Sequence, residues 1–213
     1  MRVVMVGPPG AGKGTQARLL EARRGIPQIS TGDILRAARR EGTPLGRDAR
    51  RYMDDGKLVP DDVVIGIVAE RIGAGDCGRG FVLDGFPRTL PQAVALDEIL
   101  ARRGEPLDRV VKITVPRVEL VRRLSGRRVC SACGTMFHVA FEPPARAGVC
   151  DRCGGALVQR EDDREDTIRR RLDVYERETA PVIAHYRAAN LLRDAAGTGT
   201  VDEVFERVAA SLK

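Results

Sequence analysis

Val3-Val4-Met5-Val6-Gly7-Pro8-Pro9-Gly10-Ala11-Gly12-Lys13-Gly14-Thr15, followed by Gln16-Ala17-Arg18-Leu19-Leu20, is the stretch whose reading decides the fold. A short β-branched run reads as a buried strand, and Gln16 to Arg24 has helical composition, so the glycines sit at a strand-to-helix turn. Small side chains there let successive backbone N–H groups converge on one anion, and the start of the following helix adds partial positive charge. Lys13 supplies a full charge for the outer phosphates of a nucleotide. Gly14 follows the lysine, which displaces the expected hydroxyl to Thr15. The loop therefore predicts phosphate more firmly than a direct hydroxyl ligand to Mg²⁺.

Outward from that loop, Phe81-Val82-Leu83-Asp84 and Arg109 to Val115 read as two further firm strands, with Ile26 to Ile29 and Leu191 to Asp194 as weaker ones. In an open parallel sheet, ligands lie at the carboxyl ends of strands, so Asp84 is expected on the same edge as the glycine loop, holding Mg²⁺ through water. Ser30-Thr31-Gly32-Asp33 has the character of a helix start, with Thr31 as cap, and a break at Gly42-Thr43-Pro44 precedes a second helical piece from Leu45 to Asp55. Arg123 and Arg127 share a face if their helix persists, and so do Arg160 and Arg171, eleven residues apart, if theirs starts early enough.

The 213 residues, 43% hydrophobic, suffice for one sizeable core with inserted smaller units. Thirty-six basic against 30 acidic residues give +6, with arginine far outnumbering lysine, a balance suited to polyanionic ligands. No apolar run is long enough for a membrane span or a signal peptide, so a cytoplasmic location is expected. Three Tyr, five Phe and no Trp leave little for a base-stacking platform.

Five cysteines divide into a lone Cys77 and two Cys-x2-Cys knuckles, Cys130/Cys133 and Cys150/Cys153, sixteen residues apart and each followed by glycine. In a reducing compartment that pattern argues for metal. Four thiolates close a tetrahedral Zn²⁺ shell with no position left for chemistry, so the site is structural and the metal folds a module too small to bury a core. His138 reads as a neighbouring residue outside the completed ligand set.

With the glycine loop, Ser30-Thr31-Gly32-Asp33, Leu83-Asp84-Gly85-Phe86-Pro87-Arg88, Gly126-Arg127-Arg128 and the knuckles in order, the chain resembles the adenylate kinases, in their long bacterial form with a zinc-bearing lid. The resemblance implies an α/β fold of the P-loop three-layer type. A five-stranded parallel sheet would make up a core of residues 1–29, 60–125 and 164–213, with a helical AMP-binding insert at 30–59 and a zinc lid at 126–163. It implies reversible phosphoryl transfer from ATP to AMP, with Mg²⁺ accompanying ATP, small-molecule substrates only, and a monomer.

By the same resemblance Gly10, Ala11, Gly12, Lys13, Gly14 and Thr15 would hold the ATP phosphates, joined by Arg123 and Arg127 from the lid side. Thr31, Arg36, Lys57, Leu58, Val59, Gly85, Phe86, Pro87, Arg88 and Gln92 would hold AMP, while Arg160 and Arg171 would reach the phosphates being joined. Phe137 would lie against the ATP adenine, and Asp162 and Asp163 would form the lid hinge. Gly199 stands about where some members carry a basic residue, so only its backbone can contribute. Lys13, Arg88, Arg123, Arg160 and Arg171 would be the catalytic set.

Phosphoryl transfer needs positioning and charge neutralisation, and an acceptor phosphate oxygen is already anionic, so no catalytic base is required. Two alternatives stand beside this reading. A kinase of the same fold could take UMP or CMP, because phosphate-binding parts do not read the base. A zinc-ribbon nucleic-acid-binding ATPase would need basic and aromatic residues clustered on the ribbon, whereas the segment between the knuckles carries Phe137, His138, Phe141 and one arginine, Arg146.

Overall fold

A computed structural model describes residues 1–213. In chain order the strands are β1 (Arg2–Val6), β2 (Gln28–Ser30), β3 (Phe81–Asp84), β4 (Arg109–Thr114), β5 (Arg127–Cys130), β6 (Met136–His138), β7 (Leu157–Val158) and β8 (Leu192–Ala196). The helices are α1 (Lys13–Arg24), α2 (Thr31–Arg40), α3 (Pro44–Asp54), α4 (Asp61–Ile72), α5 (Leu90–Arg102), α6 (Arg117–Ser125), α7 (Glu165–Val174), α8 (Ala180–Ala188) and α9 (Val201–Ser211). Five strands form one parallel sheet in the order β2-β3-β1-β4-β8, and β6-β5-β7 form a separate antiparallel sheet. The weak strand read at Leu191 to Asp194 is the sheet's edge, β8. No helix is long and apolar enough to cross a membrane.

Both faces of the parallel sheet are covered, which is why β1 reads as an unbroken apolar run. Its side chains nevertheless alternate: Val4 and Val6 enter one core with Leu83 and Val110, while Val3 and Met5 enter the other with Val82 and Val111. Such two-sided burial fixes the strand's register, since a one-residue slip exchanges both sets. The sheet thereby sets β1 and β3 side by side, with Met5 opposite Asp84. The glycine loop and the Asp84–Arg88 segment leave the sheet at the same edge.

Thr31 departs from its expected role. Ser30 caps α2, accepting from the Asp33 N–H at 3.2 Å, whereas the Thr31 hydroxyl donates to the Gly85 carbonyl at 2.9 Å and ties α2 to the end of β3. Two other continuities also differ. Helix α6 ends at Ser125, so Arg127 lies on β5, and α7 begins only at Glu165, so Arg160 precedes it on a loop and 3₁₀ turn. A π turn over Tyr175–Thr179 then carries the chain into α8.

Helices α2 and α3 pack so closely that a Cβ on Gly46 would lie 2.2 Å from the Ala38 carbonyl oxygen. Backbone cannot yield as a side chain can, so Gly46→Ala should destabilise the protein by about 1–3 kcal/mol. A lowered midpoint in thermal unfolding is the expected result, and an unchanged midpoint would contradict this packing.

Candidate active site

A cavity of about 1060 Å³ opens at the carboxyl edge of the parallel sheet. Gly10 to Thr15, Thr31, Arg36, Lys57 to Val59, Asp84, Gly85, Pro87, Arg88, Gln92, Arg123, Arg127, Phe137, Arg160, Arg171 and Gly199 all line it. Phe86 does not: its ring is 1% exposed and packs in the core with Leu83 and Leu96, anchoring the turn from beneath. Phe137 reaches the wall only marginally, because its ring packs with Cys130, Cys150 and Leu157 in the small antiparallel module. The aromatic that the sequence reading passed over is Phe141, which lines the cavity at 49% exposure. It stacks on His138 with ring centroids 4.3 Å apart and lies 4.7 Å from the Arg122 guanidinium. Only its exposure, which needs the folded module, distinguishes it from Phe137.

The loop conformation follows from its glycines. Gly10 and Gly12 adopt φ of 84° and 93°, and a Cβ on Gly10 would press on Leu124 at 3.0 Å. Left-handed backbone here costs glycine nothing and turns the chain back over the start of α1. The Lys13 ammonium donates to the Gly7 and Pro8 carbonyls at 2.8 and 3.0 Å, arching across the loop. Asp84 stands beside it, its Oδ2 accepting from Gln28 at 3.4 Å and lying 3.0 Å from where a Gly14 side chain would begin.

Six arginines from separate segments meet in this space, five of them beside four carboxylates. Asp163, whose side chain is fully buried, accepts from Arg127 Nε at 2.7 Å and from Arg171 Nη1 at 3.1 Å. Asp162 pairs with Arg171 at 3.1 Å. Asp33 pairs with Arg36 at 2.7 Å and stands 3.9 Å from Arg160. Arg123 is held by Glu119 at 3.0 Å and by the Gly197 carbonyl at 2.9 Å. Arg88 has no carboxylate partner; its Nε donates to the Gly85 carbonyl at 2.8 Å, and Arg160 Nε is buried with no partner at all.

This environment shifts titrations in opposite directions. Burial, reinforced by neighbouring cations, presses down on Arg88 and Arg160, although a guanidinium remains charged. Burial alone would do the same to Arg127, but the Asp163 carboxylate outweighs it and raises that group. Lys57 projects outward and pairs with Asp55 at 3.0 Å, so its segment faces the cavity through the chain around it.

In the antiparallel module the four knuckle sulfurs all lie within 4.8 Å of one another, with Cys130 and Cys153 3.4 Å apart and Cys133 and Cys150 3.6 Å apart. Sulfurs at about 2.3 Å from a tetrahedral ion stand about 3.8 Å from each other, so these residues could hold a metal. The two turns are built alike, with Gly134 and Gly154 both at φ 73° and their N–H groups donating to the Cys130 and Cys150 carbonyls.

A family model described as adenylate kinase matches residues 5–191. The chain belongs to the adenylate kinase family. Proteins named adenylate kinase from Citrifermentans bemidjiense and Geobacter sp. strain M21 are each 58% identical to it over the full length of both chains. One from Thermodesulfovibrio yellowstonii is 53% identical over the whole chain and 99% of the relative. Membership makes this chain an enzyme of the adenylate kinase class, and the cavity is its candidate active site.

Burial lowers Lys13 to about 8, partly opposed by Asp84 and reinforced by Arg88, Arg171 and Arg127. An arriving polyphosphate favours the charged form and raises the group again, so binding takes up a proton where free Lys13 is partly neutral. ATP affinity should therefore fall as pH rises above about 8. Calorimetry in buffers of different ionisation enthalpy at about pH 8.5 should show proton uptake in the native protein. The same uptake in Lys13→Met would rule out this assignment.

Proposed function

We propose that the cavity transfers the terminal phosphoryl group of ATP directly to AMP, reversibly and in line, within a site closed by the module of residues 126–163. The carrying observation is the convergence of Lys13, Arg88, Arg123, Arg127, Arg160 and Arg171 on one cavity, with the glycine loop on one side and α2 on the other. Two polyphosphates must be brought together against their own repulsion, and this density of fixed cations is what that demands. The attacking phosphate oxygen already carries charge, so alignment replaces base catalysis.

On this reading Gly10 to Thr15 wrap the ATP phosphates with backbone N–H groups, and Lys13 neutralises charge on the group in transit. Arg123 and Arg127 approach ATP from the lid side. Arg36 and Arg88 hold the AMP phosphate, with Thr31, Lys57 to Val59, Gly85 to Pro87 and Gln92 forming the rest of that pocket. Arg160 and Arg171 span the two substrates. We assign the ATP adenine to Phe141, because its ring is available at the wall while that of Phe137 is committed to the module's core. Phe86 contributes as backbone support.

Asp84, at the loop's edge, would hold Mg²⁺ through water, and that ion would supply further neutralisation of the phosphates. Cys130, Cys133, Cys150 and Cys153 would hold Zn²⁺, whose contribution is to stiffen the module. Water is the competing acceptor, and a rigid plate over the cavity excludes it. We keep the division into core, acceptor insert at 30–59 and lid at 126–163, with Asp162 and Asp163 at the junction, and a monomer that needs no second copy to complete its site.

The deciding experiment follows diphosphate formation from ATP and Mg²⁺ with AMP, UMP, CMP or GMP in turn. AMP should be the best acceptor. In the same assay Lys13→Met should reduce kcat by at least about a hundredfold with little change in the KM for AMP, whereas Arg36→Ala should mainly raise that KM. Equal effects of both changes on AMP binding, or faster turnover with UMP or CMP, would overturn the assignment of the two pockets.

Metal analysis should give about one Zn²⁺ per chain, because four thiolates complete a tetrahedral shell. Cys130→Ser and Cys153→Ser should lower the melting temperature and reduce activity while AMP binding survives, since the acceptor pocket lies on other elements. A folded, metal-free protein with unchanged melting would dispose of the structural ion. Complete inactivation with the module intact would point to a catalytic one.

A further inference from the structure

We infer that Asp61, which does not itself line the cavity, sets which base the acceptor pocket takes by locking the orientation of the Gln92 side-chain amide. The inference rests on the proposed reading of Gln92 as a residue of the AMP pocket and gives that reading a mechanism of base selection.

Gln92 lines the cavity yet is only 2% exposed, and two partners fix its amide. The Arg88 backbone N–H donates to Gln92 Oε1 at 2.8 Å, and Gln92 Nε2 donates to Asp61 Oδ1 at 2.7 Å. A backbone N–H can only donate and a carboxylate only accept, so the partners themselves dictate which end is oxygen and which nitrogen. Turned by half a revolution, the amide would set NH₂ against N–H and oxygen against carboxylate. Both bonds would be lost, and two nearly buried groups would each face a partner of like polarity.

Asp61 is in turn held in place. The Thr89 hydroxyl donates to Asp61 Oδ2 at 2.9 Å and accepts from the Gln92 backbone N–H at 3.3 Å while capping α5. Thr89, Asp61 and Gln92 thus close a hydrogen-bonded ring that joins the first turns of α4 and α5.

With those bonds made, Gln92 retains one N–H and one oxygen lone pair, a donor and an acceptor side by side in fixed order. A 6-aminopurine offers an exocyclic N–H donor beside the N1 acceptor. A 6-oxopurine offers the reverse, an oxygen acceptor beside an N1–H donor. A locked amide satisfies one order and leaves two buried groups unpaired against the other, whereas an amide free to turn accommodates both. Asp61 is therefore a positioning residue that selects the amino over the oxo purine without touching either.

Asp61 also lies in the acidic first turn of α4, where any carboxylate favours the helix dipole. Its neighbour Asp62 shares that place but is exposed and has no bond to Gln92, which makes Asp62→Ala the control. The test compares kcat/KM for AMP and for inosine monophosphate, at fixed ATP and Mg²⁺, in the native enzyme and in Asp61→Ala, Asp62→Ala and Gln92→Leu.

Asp61→Ala should reduce the AMP preference by about tenfold or more, mainly through the two KM values. Asp62→Ala should leave the preference where it is. Asp61→Asn keeps the volume and can face either end of the amide, so it should also erode the preference, and it serves if the alanine variant does not fold. Equal losses with both acceptors in Asp61→Ala, or lower melting with the preference intact, would reduce Asp61 to a structural role and overturn the inference. If Gln92→Leu itself left the preference unchanged, the underlying assignment of Gln92 to the base would be the part that fails.

Discussion

The structure depends on keeping Lys13, Arg36, Arg88, Arg127, Arg160 and Arg171 charged and close together in one partly desolvated cleft. Removing a cation from water costs several kcal/mol unless a partner compensates, and neighbouring cations add to the cost. The protein compensates unevenly. Asp163 is buried between Arg127 and Arg171, and Asp33 lies between Arg36 and Arg160. Arg88 receives no carboxylate, and burial depresses both it and Arg160, whereas the Asp163 partner of Arg127 lifts that group above its ordinary value. The groups left least satisfied are those with most to gain from an incoming phosphate. On the proposed reading, binding energy is stored as unmet electrostatic demand, in a frame whose shape the acids hold.

Asp33 also links segments that lie far apart along the chain. Asp33 belongs to α2 and Arg160 to the segment leaving the antiparallel module, and Arg170 Nε donates to the backbone carbonyl of Asp55, at the end of α3, at 3.1 Å. Contacts of this kind are weak where exposed and strengthen as water leaves. On the proposed reading, a substrate phosphate would take over from Asp33 as counterion of Arg36 and Arg160 and supply Arg88 with the one it lacks.

What could be read from the sequence was whatever depends on neighbours along the chain. The apolar run Val3 to Val6, the glycines with Lys13, and the spacing of the knuckles each encode a local geometry, and the five parallel strands follow from short apolar runs. Arg160 and Arg171 were harder, because helical spacing was the available ruler and α7 starts too late to carry both; separate segments aim them at the same space. Arg123 and Arg127 meet in the same way across the end of α6. Thr31 read as a cap because hydroxyls cap helices, but Ser30 occupies that position and frees Thr31 to bond Gly85. Phe86 and Phe137 turned inward for a reason no local pattern carries: each fills a hydrophobic space made by residues distant in sequence.

The Asp61–Gln92 bond spans 31 residues and joins two helix starts, so it was invisible to any local reading. It also answers a problem that the charged residues cannot solve. Arginines and a lysine attract every nucleotide equally, because all nucleotides present the same phosphates, and more positive charge raises affinity without discriminating between bases. Discrimination requires neutral groups whose donors and acceptors stand in a fixed order, and a primary amide has a fixed order only when something prevents it from turning. Placing an acceptor-only carboxylate on one end and a donor-only backbone N–H on the other does that. On the proposed reading the cleft divides two tasks, strong and indiscriminate attraction by its cations and weaker, oriented recognition by a locked amide, and Arg88 serves both, its guanidinium the first and its backbone N–H the second.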